Sequence, residues 1–208
     1  MVISFGIWGA ALFVYLLFLA WHENWIGALK PDEIAAFTAR LAADDNLDDA
    51  LRANLIKFMQ DDEGDEFFML NMLALHKGKI ADPDTGAPVS AVALLNKYFR
   101  PFIGKLFRRA GYSAITGAVV GDYIDAWNTS ANPGWSGNGL IRYRSRRDLM
   151  LAATDPSFAA GHKYKQAALA VTFAVPVGGQ IGFFVSPRIW VALLVLLAAA
   201  FGQIVYLV

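Results

Sequence analysis

The sequence predicts an α+β domain carried between two membrane-spanning helices. Three observations predict it. Both ends of the 208-residue chain are uncharged apolar runs about as long as a bilayer core is thick. The middle alternates β-rich runs with amphipathic stretches, separated by turn residues. One segment, Ile141 to Val177, reads as strand, helix, short break, second helix and strand, with a cap or breaker at each joint.

The apolar ends explain the composition, which is 56% hydrophobic with a mean hydropathy of +0.40. Val2–Trp21 holds no charge, and Ile189–Val208 holds none either. Twenty helical residues rise about 30 Å, so each run is read as one transmembrane helix. The first lacks the basic start and the small-residue cleavage site of a signal peptide, and is read as an uncleaved anchor. The expected division is 1–25 for the first span, 26–185 for an α+β domain with a helical extension, and 186–208 for the second span. The 18 basic residues balance the 18 acidic ones, which removes any reason to expect a nucleic-acid partner. With no cysteine, disulfides, thiol catalysis and iron–sulfur ligation are excluded.

Trp21 and Trp25 close the first span, while Arg188 and Trp190 open the second. Tryptophans at matching ends predict an interfacial belt, with the middle domain beside it. Gly6 and Ala10 in the first span, and Ala198 and Gly202 in the second, have the small-residue spacing of close helix contact. Gln203 calls for a hydrogen-bond partner on the other helix or another subunit, or for water at the far interface. All 18 Lys and Arg residues lie between the two runs, which predicts a cytoplasmic middle domain.

Pro31, Asp32 and Glu33 open an amphipathic helix to about Ala43, with Ile34, Phe37 and Leu41 on one stripe. Asp45 or Asn46 caps a second helix to about Gln60, burying Leu51, Leu55, Phe58 and Met59. Phe67–Leu73 is apolar on both faces apart from Asn71, as a central strand is. His76–Ser90 is turn-rich. Ala91–Ala110 is helical, with a kink or break expected at Pro101. Tyr112 to about Trp127 reads as a long strand or bent pair, and Asn128–Gly139 as a hairpin loop. Ser145 and Asp148 form a capping-box pattern, and Asp155-Pro156 opens the next helix. Ala167–Val185 is an uncharged run. Pro176, Gly178, Gly179 and Gly182 favour strand then loop over a third span. The order is β-α-β-β-α-β, the ferredoxin-like split βαβ arrangement, preceded by two short helices.

Several of these segments carry a resemblance. Asn71-Met72-Leu73 in the first strand, Arg142-Tyr143-Arg144-Ser145-Arg146 at the strand-to-helix joint, and Asp155-Pro156-Ser157-Phe158 follow one another in a familiar order. Over about Pro31 to Val177 the chain resembles the small bacterial ferredoxin-like proteins of the dimeric α+β barrel superfamily that are known only as a domain of unknown function. Arg144 stands where that family usually has Pro, and Phe158 where it usually has Tyr. Two membrane helices are foreign to it. The resemblance implies a fold and a homodimer through the sheet, and no reaction.

Arg142, Arg144, Arg146 and Arg147 gather beside a helix N-terminus, an arrangement suited to an anion or a partner. Alternatively they pair with Asp122, Asp125 or lipid headgroups. Asn71, Tyr123, Trp127 and Tyr143 are candidates to line a cavity for a flat ligand. His22, His76 and His162 lack metal-ligand spacing, so no metal, no cofactor and no catalytic set is expected. Two functions follow. One is a non-catalytic accessory or scaffolding subunit of a larger membrane complex, whose partners are the bilayer and other subunits. The alternative is a membrane-anchored α+β barrel enzyme or binding module, monooxygenase-like, for a hydrophobic small molecule.

Overall fold

A computed structural model describes residues 2–44, 47–178 and 186–208. It divides into two compact units, the terminal helices and the segment Ile26–Gly178.

In the first unit, α1 (Val2–His22) and α7 (Pro187–Leu207) are both long and apolar enough to cross a membrane. They pack against each other. The covered side of α1 recurs every three or four residues at Ser4, Ile7, Ala11, Tyr15, Phe18 and His22, and on α7 at Ala192, Val195, Ala199, Gly202 and Gln203. That spacing is the seam of a two-helix coil. It lies about one residue round from the small-residue pairs expected from sequence. Ala10 and Ala198 face outward, and a side chain added at Gly6 would meet nothing within 4 Å. Gly202 does lie on the seam, 3.9 Å from Ile7.

In the second unit, α2 (Pro31–Ala42) and α3 (Asp49–Gln60) pack against α5 (Arg146–Ala153), and Phe37, Leu41, Met59 and Met150 form their core. Asp48 caps α3 by accepting from the Leu51 backbone N–H at 2.8 Å, whereas Asp45 and Asn46 fall outside the described residues. Leu51, expected inside, is exposed because it faces away from this core.

The four-stranded sheet runs β4 (Tyr112–Ala118), β5 (Gly137–Tyr143), β1 (Phe67–Leu75), β6 (Leu169–Gly178), with every neighbouring pair antiparallel. A small hairpin of β2 (Lys79–Ala81) and β3 (Pro88–Ser90) forms inside the stretch expected to be turn alone. Strand β4 ends at Ala118 instead of continuing towards Trp127, and farther along Asp122 accepts from the Tyr123 N–H in a local turn. Strand β5 correspondingly begins at Gly137, inside the expected loop.

Helix α4 (Ala91–Arg108) remains helical through Pro101 and lies on one sheet face, with Phe102 and Leu106 against Phe67, Ile141 and Tyr143. Helix α6 (Pro156–Ala168) packs beside α4. The other sheet face is buried at Phe68 and Ala74, Trp135 packs edge-on against its Phe173, and its middle is part-exposed. Ile115, Leu140, Leu70 and Val175 stand in one cross-strand row, with Met72 beside Phe173. Ile115 is 58% exposed, Phe173 43% and Val175 45%, so α2 and α3 do not cover this face.

Candidate functional site

Four arginines leave the β5–α5 joint in four directions, and each finds a partner inside the domain. Arg142 is fully buried. Its Nε donates to Glu66 at 2.6 Å, its Nη1 donates to the Ala110 carbonyl at 2.6 Å, and it lies 5.5 Å from the centre of the Tyr112 ring. Arg144 grips both oxygens of Asp148, at 2.8 and 3.2 Å. Arg146 donates to the Phe58 carbonyl, lies over the Phe58 ring at 4.4 Å and stands 3.5 Å from Asp62. Arg147 grips Glu33 at 2.7 and 2.8 Å and also donates to the carbonyls of Gly27 and Ala28.

The joint is therefore a hub that ties the starts of β1 and α5, the ends of α3 and α4, and the segment before α2. Bidentate arginine–carboxylate pairing in a half-buried site is strong and directional. The partners are Glu66, Asp148, Asp62 and Glu33, not Asp122 or Asp125. Asp122 accepts from Asn132 and the Tyr123 N–H, and Asp125 accepts from Trp127. The N-terminus of α5 is also filled from within. Ser145 Oγ accepts from the Asp148 N–H and donates to the Asp148 carboxylate, both at 3.1 Å.

Glu33 shows the electrostatic consequence. The Arg147 guanidinium, with the Lys30 backbone N–H, holds its carboxyl at about 2 instead of 4.5. Two glycine positions let the hub close. Gly64 has φ +89°, and a Cβ there would meet the Ala28 nitrogen at 2.7 Å. Gly111 follows Ala110 at the end of α4, and a Cβ there would meet the Arg142 carbonyl at 2.9 Å.

The four residues expected to line a cavity do not come together. Tyr143 is buried and stacks on Phe67 at 5.3 Å. Asn71 also faces the helices, donating to the carbonyls of Met69 at 2.9 Å and Gly139 at 3.3 Å. Tyr123 and Trp127 lie instead in the connection between β4 and β5.

That connection, 119–136, is the feature sequence reasoning missed. Several of its polar groups bond one another at the surface. Asp122 accepts from Asn132, Asn132 accepts from the N–H groups of Gly134 and Trp135, and Trp135 Nε1 donates to the Tyr123 hydroxyl at 3.0 Å. The apolar side chains point outward. Val120 is 99% exposed, Ile124 98% and Trp127 82%. The signal was present as VVGDYIDAW, where the apolar residues sit between turn-forming ones.

In the terminal-helix unit, Gln203 donates to Ser4 Oγ at 3.1 Å. At the other end, Arg188 grips both oxygens of Glu23, at 2.6 and 2.8 Å, and His22 shares Glu23 at 3.0 Å. Tyr15 donates to the Arg188 carbonyl.

No protein-family model and no curated protein matches this sequence. Two crystal structures are similar in fold. One is of the methylated RPA0582 protein, with a TM-score of 0.54 and 18% identity, covering 66% of this chain and 95% of that one. The other is of the RPA0582 protein of unknown function from Rhodopseudomonas palustris, with a TM-score of 0.51 and 18% identity, covering 65% of this chain and 96% of that one. Identity at this level carries the fold and nothing of the activity.

Proposed function

We propose that this chain is a non-catalytic accessory or scaffolding subunit of a larger membrane complex. In this reading α1 and α7 span the bilayer, and Ile26–Gly178 is a ferredoxin-like domain that presents a docking surface to another subunit. The strand order supports the topology, since β1 and β4 run parallel with β5 inserted between them, as in a split βαβ unit. The outward Phe5, Leu12, Leu16, Leu194, Leu197 and Phe201 support the spanning role, because such side chains suit lipid better than water.

The observation that carries the subunit role is the 119–136 connection. An isolated surface loop hides its large apolar side chains, and this one leaves Val120, Ile124 and Trp127 almost fully exposed. The hydrogen bonds among Asp122, Tyr123, Asp125, Trp127, Asn132 and Trp135 order the loop that carries Ile124 and Trp127 before any partner arrives, which lowers the entropy cost of docking. Exposed aromatic and branched side chains held this way are the usual anchors of a protein interface.

The test is the size of the native particle in mild detergent. The wild-type chain should run in a heteromeric particle, and the double variant Ile124→Asp, Trp127→Ala should run as the chain alone. A wild-type particle no larger than a monomer or homodimer in its micelle would end this reading. In this reading the domain lies on the cytoplasmic side, and the basic residues lying between the two spans support that orientation. Alkaline phosphatase inserted in the 128–136 stretch should accordingly be inactive in bacterial cells, and an active fusion would reverse the orientation.

A further inference from the structure

Away from both the arginine hub and the docking loop, α4 turns a second apolar row outward. Its inner side, Leu94, Tyr98, Phe102 and Leu106, is buried. On its outer side Ile103 is 52% exposed and Phe107 59%, and Val92 is exposed near the start of the helix. The helix carries Lys97, Arg100, Lys105 and Arg108 and no acidic residue. Lys97 pairs with Asp82 and Lys105 with Asp155. Among the described residues the exposed Arg100 and Arg108 have no carboxylate partner. Arg100, Gly104 and Arg108 recur every four residues beside Ile103 and Phe107, so two cations flank two apolar side chains on one face. A Cβ added at Gly104 would meet nothing within 4 Å, so that face is unobstructed.

This half of α4 lies at the end of the sheet where the chain leaves the domain. Phe102 and Leu106 pack with Phe67 and Tyr143, whereas Ala91 and Leu94 pack at the far end of β1, with Leu73 and Leu75. Phe67 pairs with Gly178, the last described residue of the domain, and Arg147 holds Gly27 and Ala28 at the same joint. Ile26 lies four residues beyond His22, the end of α1, a reach of about 14 Å at full extension. The acidic turn before β1 is answered within the domain at Asp61, Asp62 and Glu66, which pair with Lys57, Arg146 and Arg142. Glu63 and Asp65 flank Gly64, which closes on Ala28 on the Arg147 side of the joint and not on α4.

We propose that the last two turns of α4 dock on an anionic lipid surface, with Ile103 and Phe107 entering the headgroup boundary and Arg100 and Arg108 on lipid phosphates. The proposal rests on the reading that α1 and α7 span the bilayer. Branched and aromatic side chains flanked by basic ones are the composition of helices that lie at a membrane interface. The planar guanidinium matches a phosphate with two parallel hydrogen bonds, which a lone apolar patch would not need. Tethering through residue 26 keeps this end of the domain at high effective concentration beside the lipid, so two apolar anchors suffice where a free protein would need more.

The chain has no cysteine, so single sites can be labelled. Full-length Ile103→Cys, Val92→Cys and Leu12→Cys chains, each carrying the dye NBD, are reconstituted in vesicles of phosphatidylcholine and phosphatidylglycerol. Quenching by a nitroxide on the upper acyl chain should be about three-fold or more stronger at position 103 than at position 92, since only the exit end of α4 reaches the boundary. Omitting phosphatidylglycerol, or adding Arg100→Glu and Arg108→Glu, should bring position 103 down towards position 92. Position 12, on the outward side of α1, reports the span itself. Strong quenching there with equal quenching at 103 and 92 would overturn the docking proposal and leave the spanning reading intact. No quenching at position 12 would overturn both. Quenching at 103 that ignores lipid charge and the arginine substitutions would overturn the anionic assignment. A label at 103 that lipid never quenches, but that crosslinks to another protein in native membranes, would give the face to an acidic protein partner instead.

Discussion

Arg147 shows at single-residue scale how the hub works. One side chain, 7% exposed, serves a carboxylate and two backbone carbonyls at once. Removing one partner of such a set strands the others, so Arg147→Met should cost about 3–5 kcal/mol in a urea melt of the detergent-solubilised chain. Glu33→Gln keeps the shape and removes the charge, and should cost less. The pair also sets an acid limit. A carboxyl held at about 2 when folded and near 4.5 when free contributes stability above pH 4.5, and loses it as the pH falls towards 2. Between those values the wild type should lose more stability than Glu33→Gln, and parallel acid titrations of the two melts would refute this. The arginine cluster itself was legible in the sequence. Its partners were not, because Glu66, Asp62 and Glu33 are distant in the chain and only the fold chooses among 18 acidic residues.

At the scale of elements, the two terminal helices are a hairpin fastened at both ends, by Ser4–Gln203 and by Glu23–Arg188. The absence of cysteine makes the register easy to test. Paired Ser4→Cys and Gln203→Cys substitutions should close an intrachain disulfide on mild oxidation, seen as a mobility shift that reductant reverses, whereas Gly6→Cys with Ala198→Cys should not. Gly202→Leu should loosen the hairpin against Ile7, while Gly6→Leu should be tolerated. Length and apolar composition announced both helices. They did not announce the seam, since any face of a uniformly apolar helix offers small residues at four-residue spacing. Strand β6 was legible as a β-rich run, and β2 and β3 were not, because three residues are too few to show an alternation.

At the scale of the whole molecule, one sheet face is packed and the other carries an apolar, part-exposed row across its middle. Ile115 stands in its centre row, so Ile115→Arg should fold with an unchanged melting temperature while reducing the size of the native particle. A drop in folded yield without a change in particle size would mean that the face is covered within the chain. β-rich runs in the sequence revealed that the long strands exist, while the pairing β4-β5-β1-β6 is set by contacts distant in the chain. What covers the second face lies outside any single-chain pattern.

Both ends of the α+β unit emerge at one end of its sheet. Gly178 pairs with Phe67, while Gly27 and Ala28 are gripped from the β5–α5 joint just beyond Tyr143, which pairs with the same Phe67. The two exits are not equally protected against a mechanical pull. Tension arriving through residue 26 meets the Arg147 clamp and is stopped there. Tension arriving through Gly178 meets the last rung of an edge strand and can peel β6 from β1 one pair at a time. Under load the domain would open like a zipper from its C-terminal side, with the arginine-bound half still closed.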